Sequence, residues 1–266
     1  MVDTRLGDIP GWEGGDGGGR DGGEEVRLPG GNVSGAVRVG DTVRRCTGPW
    51  TPAVHALLGY LDGRVPGIPQ VLGIDGQDRE VLSYLPGLVV DIDTEVLSAG
   101  QIVSLVTWTR SFHRAVADFA HAGPWRYFPV AEPTLTGHND IAPYNVCFDG
   151  DRLAGVFDWD LAGPTTPLLE LAFIAWNCVP LWADIGQEQA ASRLRLIASA
   201  YGEVSAQQIL RAVLTRIQLM LNWIPAAAAG DAGMARLMSA GEPGRSAASL
   251  ADLITRIPAI DRALAR

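Results

Sequence analysis

The spacing of apolar residues changes period once along this chain, and that change limits the folds open to it. From Val26 to about Leu85 the pattern is strand-like. Val33 to Val39 and Thr42 to Cys46 are β-rich runs joined by Gly40-Asp41, a hairpin turn signal. A helix is predicted from Thr51 to Leu61, with Thr51 as N-cap and Pro52 at its first position, and with Val54, Leu57, Leu58 and Leu61 as its apolar stripe. Val71 to Ile74 and Glu80 to Leu85 are two more strands around the turn Asp75-Gly-Gln-Asp78, and Pro86-Gly87 breaks the pattern as a hinge would. Beyond it the period becomes helical. Helices are predicted over Ser98 to Ala120, Pro167 to Asn177, Gln187 to Tyr201, Ser205 to Ala226 and Ala247 to Leu264, the last broken or kinked before Pro258. Between them Thr136 to Phe148 is irregular and Leu153 to Phe157 reads as a short buried strand. The expected fold class is α+β, with a small β-rich lobe (26–87), ending in the hinge, and a larger α-helical lobe (88–266). Residues 1–25 are dominated by Gly, Asp and Glu and cannot bury enough apolar area to offset their ordering entropy, so a mobile tail is expected there.

Apolar residues make up 47% of the 266, enough for a sizeable core, and no apolar run reaches membrane-spanning length. The acidic N-terminus lacks the apolar segment of a secretory signal. Cys46, Cys147 and Cys178 show no metal-ligand spacing and read as reduced thiols of a cytoplasmic protein. A net charge of −9 disfavours a nucleic-acid partner, since phosphate backbones call for a basic surface. It suits cationic small substrates, and equally a surface that is simply solvated. All 21 basic residues are arginine; the chain has no lysine.

One segment carries the chemistry. Thr136-Gly-His-Asn-Asp-Ile-Ala-Pro-Tyr-Asn145 is followed by Val156-Phe-Asp-Trp-Asp160, which places Asn145 five residues after Asp140 and Asp158 thirteen after Asn145. The first Asp can hold and deprotonate a hydroxyl, while the Asn and second Asp can bind magnesium through oxygen. Such a set describes a phosphoryl-transfer site, where positioning and charge neutralisation supply most of the catalysis. Taken singly, each of these residues could instead cap a turn or satisfy loop backbone.

The motif and the layout together resemble the aminoglycoside phosphotransferase family, also called the phosphotransferase enzyme family, of the protein-kinase-like superfamily that includes choline kinases. The resemblance runs from about Leu28 to about Leu181 and implies a protein-kinase-like two-lobed fold. It implies Asp140 as catalytic base, with His138 beside it as a catalytic-loop residue or brace, and Asn145 and Asp158 as magnesium ligands, joined by Asp160 directly or through water. Asn139 stands where most of the family carries Gly, a place suited to left-handed dihedrals. The phosphate-gripping lysine of the third strand is missing, so Arg45 or Arg44 replaces it. Arg45 alternates in phase with Val43 and is preferred. The helical Glu that pairs with that lysine is not evident, and the helix from Thr51 carries His55 instead. Gly30-Gly31-Asn32-Val33-Ser34-Gly35 is a candidate phosphate-covering loop. Ser83, Tyr84 and Leu85 form the linker expected to meet the purine. Glu170, Trp176, Asn177, Trp182 and Asp184 are acceptor-side candidates. Of these, Glu170 occupies the position of a loop-bracing acid, and the tryptophans double as core residues.

The leading expectation is an ATP- or GTP-dependent, magnesium-requiring kinase acting on a hydroxyl of an aminoglycoside-like, other amino-bearing or sugar-like acceptor. A second reading is a kinase-shaped module that binds nucleotide or ligand without turnover, motivated by the missing lysine and helical Glu. A third, a metal-dependent hydrolase built on His138, Asp140 and Asp158, would need further ligands nearby.

Overall fold

The computed structural model describes residues 24–28, 35–92, 94–126 and 130–266. Residues 1–23 of the expected tail and Gly30 to Ser34 of the candidate phosphate-covering loop lie outside the described residues. The β-rich part is one antiparallel sheet in the order β1-β2-β3-β5-β4. Its strands are β1 (Glu25–Arg27), β2 (Ala36–Val39), β3 (Thr42–Cys46), β4 (Val71–Ile74) and β5 (Arg79–Ser83). Glu25, assigned to the tail from sequence, instead opens the edge strand. β2 and β3 form the hairpin expected at Gly40-Asp41, with Val39 opposite Thr42. Between β3 and β4 runs α1 (Thr51–Leu61), whose stripe Val54, Leu57, Leu58 and Leu61 is buried as expected. Its N-cap is Trp50, not Thr51; the Thr51 hydroxyl accepts the Gly48 N–H at 2.9 Å and closes the preceding turn instead.

The helical part is built from α2 (Ala99–Ala115), α3 (Pro167–Cys178), α4 (Gln187–Tyr201), α5 (Ala206–Ala227), α6 (Ala232–Ser239) and α7 (Glu242–Leu264). α2 opens on a capping box of Ser98 and Gln101 and stops short of Ala120. The chain turns there so that Val116 is fully buried and Phe119 packs on Tyr60, ring centroids 5.1 Å apart. α6 was not expected; it is a short helix started by the Asp231 carboxylate, which accepts from Gly233 and Met234 N–H. α7 begins before Ala247 and runs through Pro258 as a continuous helix rather than stopping there. Proline forfeits a helical hydrogen bond, but Ile257 and Ile260 on either side of it are buried in the core and hold the helix in place. Among the described residues no helix is long and apolar enough to cross a membrane.

The region read as irregular contributes one strand to each of two short ladders, the second of them with the strand expected at Leu153 to Phe157. β6 (Leu135–Gly137) pairs with β9 (Gly163–Thr165), and β7 (Val146–Asp149) with β8 (Arg152–Val156). These ladders hold the motif against the helices. Trp159, just past β8, packs edge-on to Phe112 of α2 at 5.4 Å, and Phe112 stacks on Trp108. The Trp108 indole N–H donates to Pro66 O at 2.7 Å, tying α2 to the α1–β4 connection. Next to Pro66, Gly67 O accepts the Val156 N–H at 2.8 Å. The sheet is thereby pinned to the strand that leads into Asp158.

Gly67 has φ +75°, and a Cβ there would meet Ala154 O at 2.9 Å, whereas Gly63, at φ +70°, has open space around it. Gly63→Ala should cost only the left-handed penalty, about 1–2 kcal/mol. Gly67→Ala should lose a further ~1–3 kcal/mol by forcing the strand away. Urea unfolding of the two variants checks this; equal losses would contradict the pinning role.

Candidate active site

The β7–β8 hairpin brings Asn145 and Asp158 together. Asn145 directly precedes β7, Asp158 closely follows β8, and the Phe157 N–H donates to Asn145 O at 3.0 Å. Asp158 adopts the left-handed region at φ 62°, ψ 63°, an arrangement that costs a non-glycine residue on the order of 1 kcal/mol or more. Asp140 joins them from the loop after β6. The Asn145 amide donates to Asp140 O at 2.9 Å and to its Oδ2 at 2.7 Å. Both Asn145 N–H groups are thereby used, and its Oδ1 is left to accept.

The loop is held from beneath. Asn139 sits at φ +63°. Its amide group donates to Leu161 O and Gly163 O, and its carbonyl accepts Arg216 Nη2 at 2.8 Å from α5. Its backbone N–H donates to Glu170 Oε1 at 2.5 Å. The other oxygen of Glu170 meets His113 Nε2, and His113 Nδ1 meets the Tyr201 hydroxyl. Burial alone would raise the Glu170 pKa, but the hydrogen bonds from His113 and Asn139 outweigh it and hold the carboxyl below its ordinary value. With both oxygens engaged under the loop, Glu170 is placed as a brace rather than as an acceptor contact.

His138 is fully buried. Its Nδ1 accepts the Asp140 N–H at 3.2 Å and its Nε2 donates to Phe157 O at 3.0 Å, while its ring lies 4.6 Å from that of Trp159. Burial lowers its pKa and keeps it neutral, as those two bonds require. Both nitrogens are committed to backbone, so the structure places His138 as a brace and leaves it no lone pair for a metal or a proton transfer. Burial, with help from the charges of Asp158 and Asp160, pushes the Asp140 carboxyl up to about 8, against Arg216 and the Asn145 amide.

Alternation along β3 separates the two arginines. Arg45 turns to the site, where its Nη2 donates to Asp158 Oδ1 at 2.8 Å and Asp160 Oδ2 at 2.9 Å. Arg44 turns to the other side and pairs with Asp75 at 3.5 Å. Burial would lower the Arg45 pKa, but Asp158, Asp160 and Glu80 outweigh it and hold it above its ordinary value. Asp160 Oδ2 also accepts Arg126 Nη1 at 3.1 Å. Shared between two guanidiniums and only 5% exposed, Asp160 serves as their counter-ion beside Asp158. Burial pushes its pKa up, and the two arginines oppose that shift.

The hard-oxygen donors left are Asn145 Oδ1 and the Asp158 carboxylate, whose side chain is 30% exposed. That set fits magnesium, which takes few protein oxygens and fills its octahedron with water and phosphate. Among the described residues no group of three or more His, Cys, Asp or Glu is placed to hold a metal, as the hydrolase alternative would need.

The remaining expected residues lie as follows. In the linker, Ser83 pairs with Gln70 through backbone and hydroxyl, the Tyr84 N–H donates to Asp41 O, and Leu85 O accepts from the Cys147 thiol at 3.8 Å. Trp176 is core. Asn177 turns its amide back to Phe173 O, and Asp184 accepts the Gly186 N–H, so both are engaged locally. Trp182 is exposed. Sequence reasoning missed Glu80, Arg126 and Arg216. Glu80 breaks the apolar character of a buried strand face, a signal that could have found it. Arg126 grips Asp231 with Nε and Nη2 at 2.7 and 2.8 Å and lies 4.2 Å over Trp50, and nothing local announces either contact.

Residues 120–207 match the sequence pattern of the phosphotransferase enzyme family. A trifolitoxin immunity protein of Rhizobium leguminosarum bv. trifolii is 29% identical over 196 residues, covering 67% of this chain and 74% of that protein. A choline/ethanolamine kinase family protein from Mesorhizobium loti superposes with a TM-score of 0.59 at 18% identity over 92% of each chain. The Streptomyces rimosus aminoglycoside phosphotransferase in complex with ADP and streptomycin superposes at 0.56 and 17% identity, over 75% of this chain and 94% of that one. Residues 120–207 thus match the phosphotransferase enzyme family in sequence, and most of the chain shares its fold with these solved structures.

Proposed function

We propose that the chain transfers the γ-phosphoryl group of ATP or GTP to a hydroxyl of a small-molecule acceptor. The observation that carries this reading is the convergence of Asp140, Asn145 and Asp158, with Arg45 facing them from the sheet. Asp140 would accept the hydrogen bond of the attacking hydroxyl and take its proton; the Asn145 amide fixes the orientation of that carboxyl. Asn145 Oδ1 and Asp158 would hold magnesium, which when bound neutralises phosphate charge. Arg45 would exchange its carboxylate partners for phosphate oxygens, which its planar fork can bind in pairs. Ser83 to Leu85 would border the purine. The acidic surface suits an amino-bearing acceptor, and the likeness to an immunity protein makes antibiotic-like compounds the first to screen.

Release of ADP or GDP, followed with magnesium over aminoglycosides, peptide antibiotics, amino alcohols and sugars, tests the reading. Asp140→Asn should lower acceptor-dependent release roughly 100-fold or more. Wild-type protein that releases no more than this variant with any acceptor and either nucleotide, yet still binds nucleotide, would favour the binding-module alternative.

The same substitution separates chemistry from stability. The Asp140 carboxyl titrates at about 8 in the fold, against ~3.9 in an unfolded chain. Between these values the folded state holds a proton that the unfolded chain has lost. This group's contribution to stability therefore falls as pH rises through that window. Asp140→Asn should raise the melting temperature relative to wild type by more at about pH 8 than at about pH 5, in magnesium-free buffer. An equal difference at both values would contradict the raised carboxyl.

A further inference from the structure

α1 carries no acid to pair with Arg45, yet a buried acid on β5 does face it. Glu80 lies directly opposite Arg45 in the β3–β5 register. Its Oε1 stands 3.7 Å from Arg45 Nε, and its Oε2 meets His55 Nε2 of α1 at 2.9 Å. Glu80 is 3% exposed. A carboxylate this deep in a sheet persists only when its charge is met, and here His55 of α1 hydrogen-bonds one oxygen while Arg45 of β3 stands as counter-charge to the other.

We propose that Glu80, propped by His55, is the positioning residue for Arg45. From β5 it does for an arginine what a helical acid does for the lysine of related kinase-like proteins. This rests on the phosphoryl-transfer reading and deepens it. The guanidinium is held at two ends. Glu80 takes the Nε side, and Asp158 and Asp160 take Nη2. Without Glu80 the fork would be drawn wholly toward Asp158 and Asp160, the first of them the oxygen donor proposed for magnesium. With Glu80 the Nε side stays seated in the sheet while the Nη side changes partners. The contact at 3.7 Å is an ion pair longer than a hydrogen bond, which lets the planar group pivot without losing its counter-charge. His55 makes the position of α1 felt at the phosphate grip through a strand residue.

The experiment is calorimetric titration of the full chain with ATP and with GTP, each with magnesium, alongside melting temperatures; no acceptor is needed. E80Q should weaken nucleotide binding about tenfold, the loss of one charge-assisted contact. H55E/E80Q moves the acid to the helix and should recover most of that loss, whereas H55Q/E80Q should not. E80Q binding as wild type does, or a loss that H55E/E80Q leaves unrepaired, would overturn the proposal. Should E80Q fail to fold, a folded H55E/E80Q that binds nucleotide supports it and one that does not overturns it. Should that pair fail as well, the conservative E80D decides by the same two outcomes. Wild-type protein that binds neither nucleotide would instead remove the parent reading, and this inference with it.

Discussion

The carboxylate of Glu170 is the contact on which the rest of the site depends. It is buried between α3 and the loop, and it accepts from Asn139 N–H on one side and His113 on the other. A buried acid left with an empty oxygen would be expensive, so the loop cannot drift from it without cost. Asn139, fixed there in a left-handed conformation, turns the chain so that His138 lies inward and Asp140 outward. Arg216 from α5 closes the loop carbonyl. The site geometry is thus set from α2, α3 and α5, elements that contribute no reacting group.

Above this support the electrostatics run the other way. Asp140, Asp158 and Asp160 are brought closer than their charges favour. Burial first, and the neighbouring carboxylates second, raise the Asp140 carboxyl. Two guanidiniums compensate, one from the sheet and one from the segment before β6. Such a cluster is more stable when cation is added to it than when left alone, which is the property a divalent-cation and phosphate site needs.

Much of this was legible in the sequence, for reasons that differ by element. The hairpin at Gly40-Asp41, α1 and α4 were readable because turn chemistry and an apolar period of full length agree there. Strand alternation set Arg45 and Arg44 on opposite faces, and they lie so, one toward Asp158 and the other toward Asp75. β6, β7 and β9 span only three or four residues, too few to show a period, and exist because their partners are supplied by the fold. The continuation of α7 through Pro258 is a case of burial overriding local propensity. The contacts of Arg126 with Asp231 and of Arg216 with Asn139 join residues 105 and 77 apart, a distance at which no local pattern operates. Glu80 was visible as a misplaced charge, but its partner could be named only once the register of β3 and β5 was fixed.

The choice of guanidinium at position 45 has an outcome at the alkaline end of the pH scale. An ammonium in that place would neutralise as the solution became basic and release its partners. Arginine stays protonated across the whole range in which proteins remain folded, and the three acids around Arg45 reinforce that. Alkalinity therefore cannot unlatch the sheet from Asp158. Only protonation of the carboxylates can, so this junction between the two halves of the molecule opens toward acid alone.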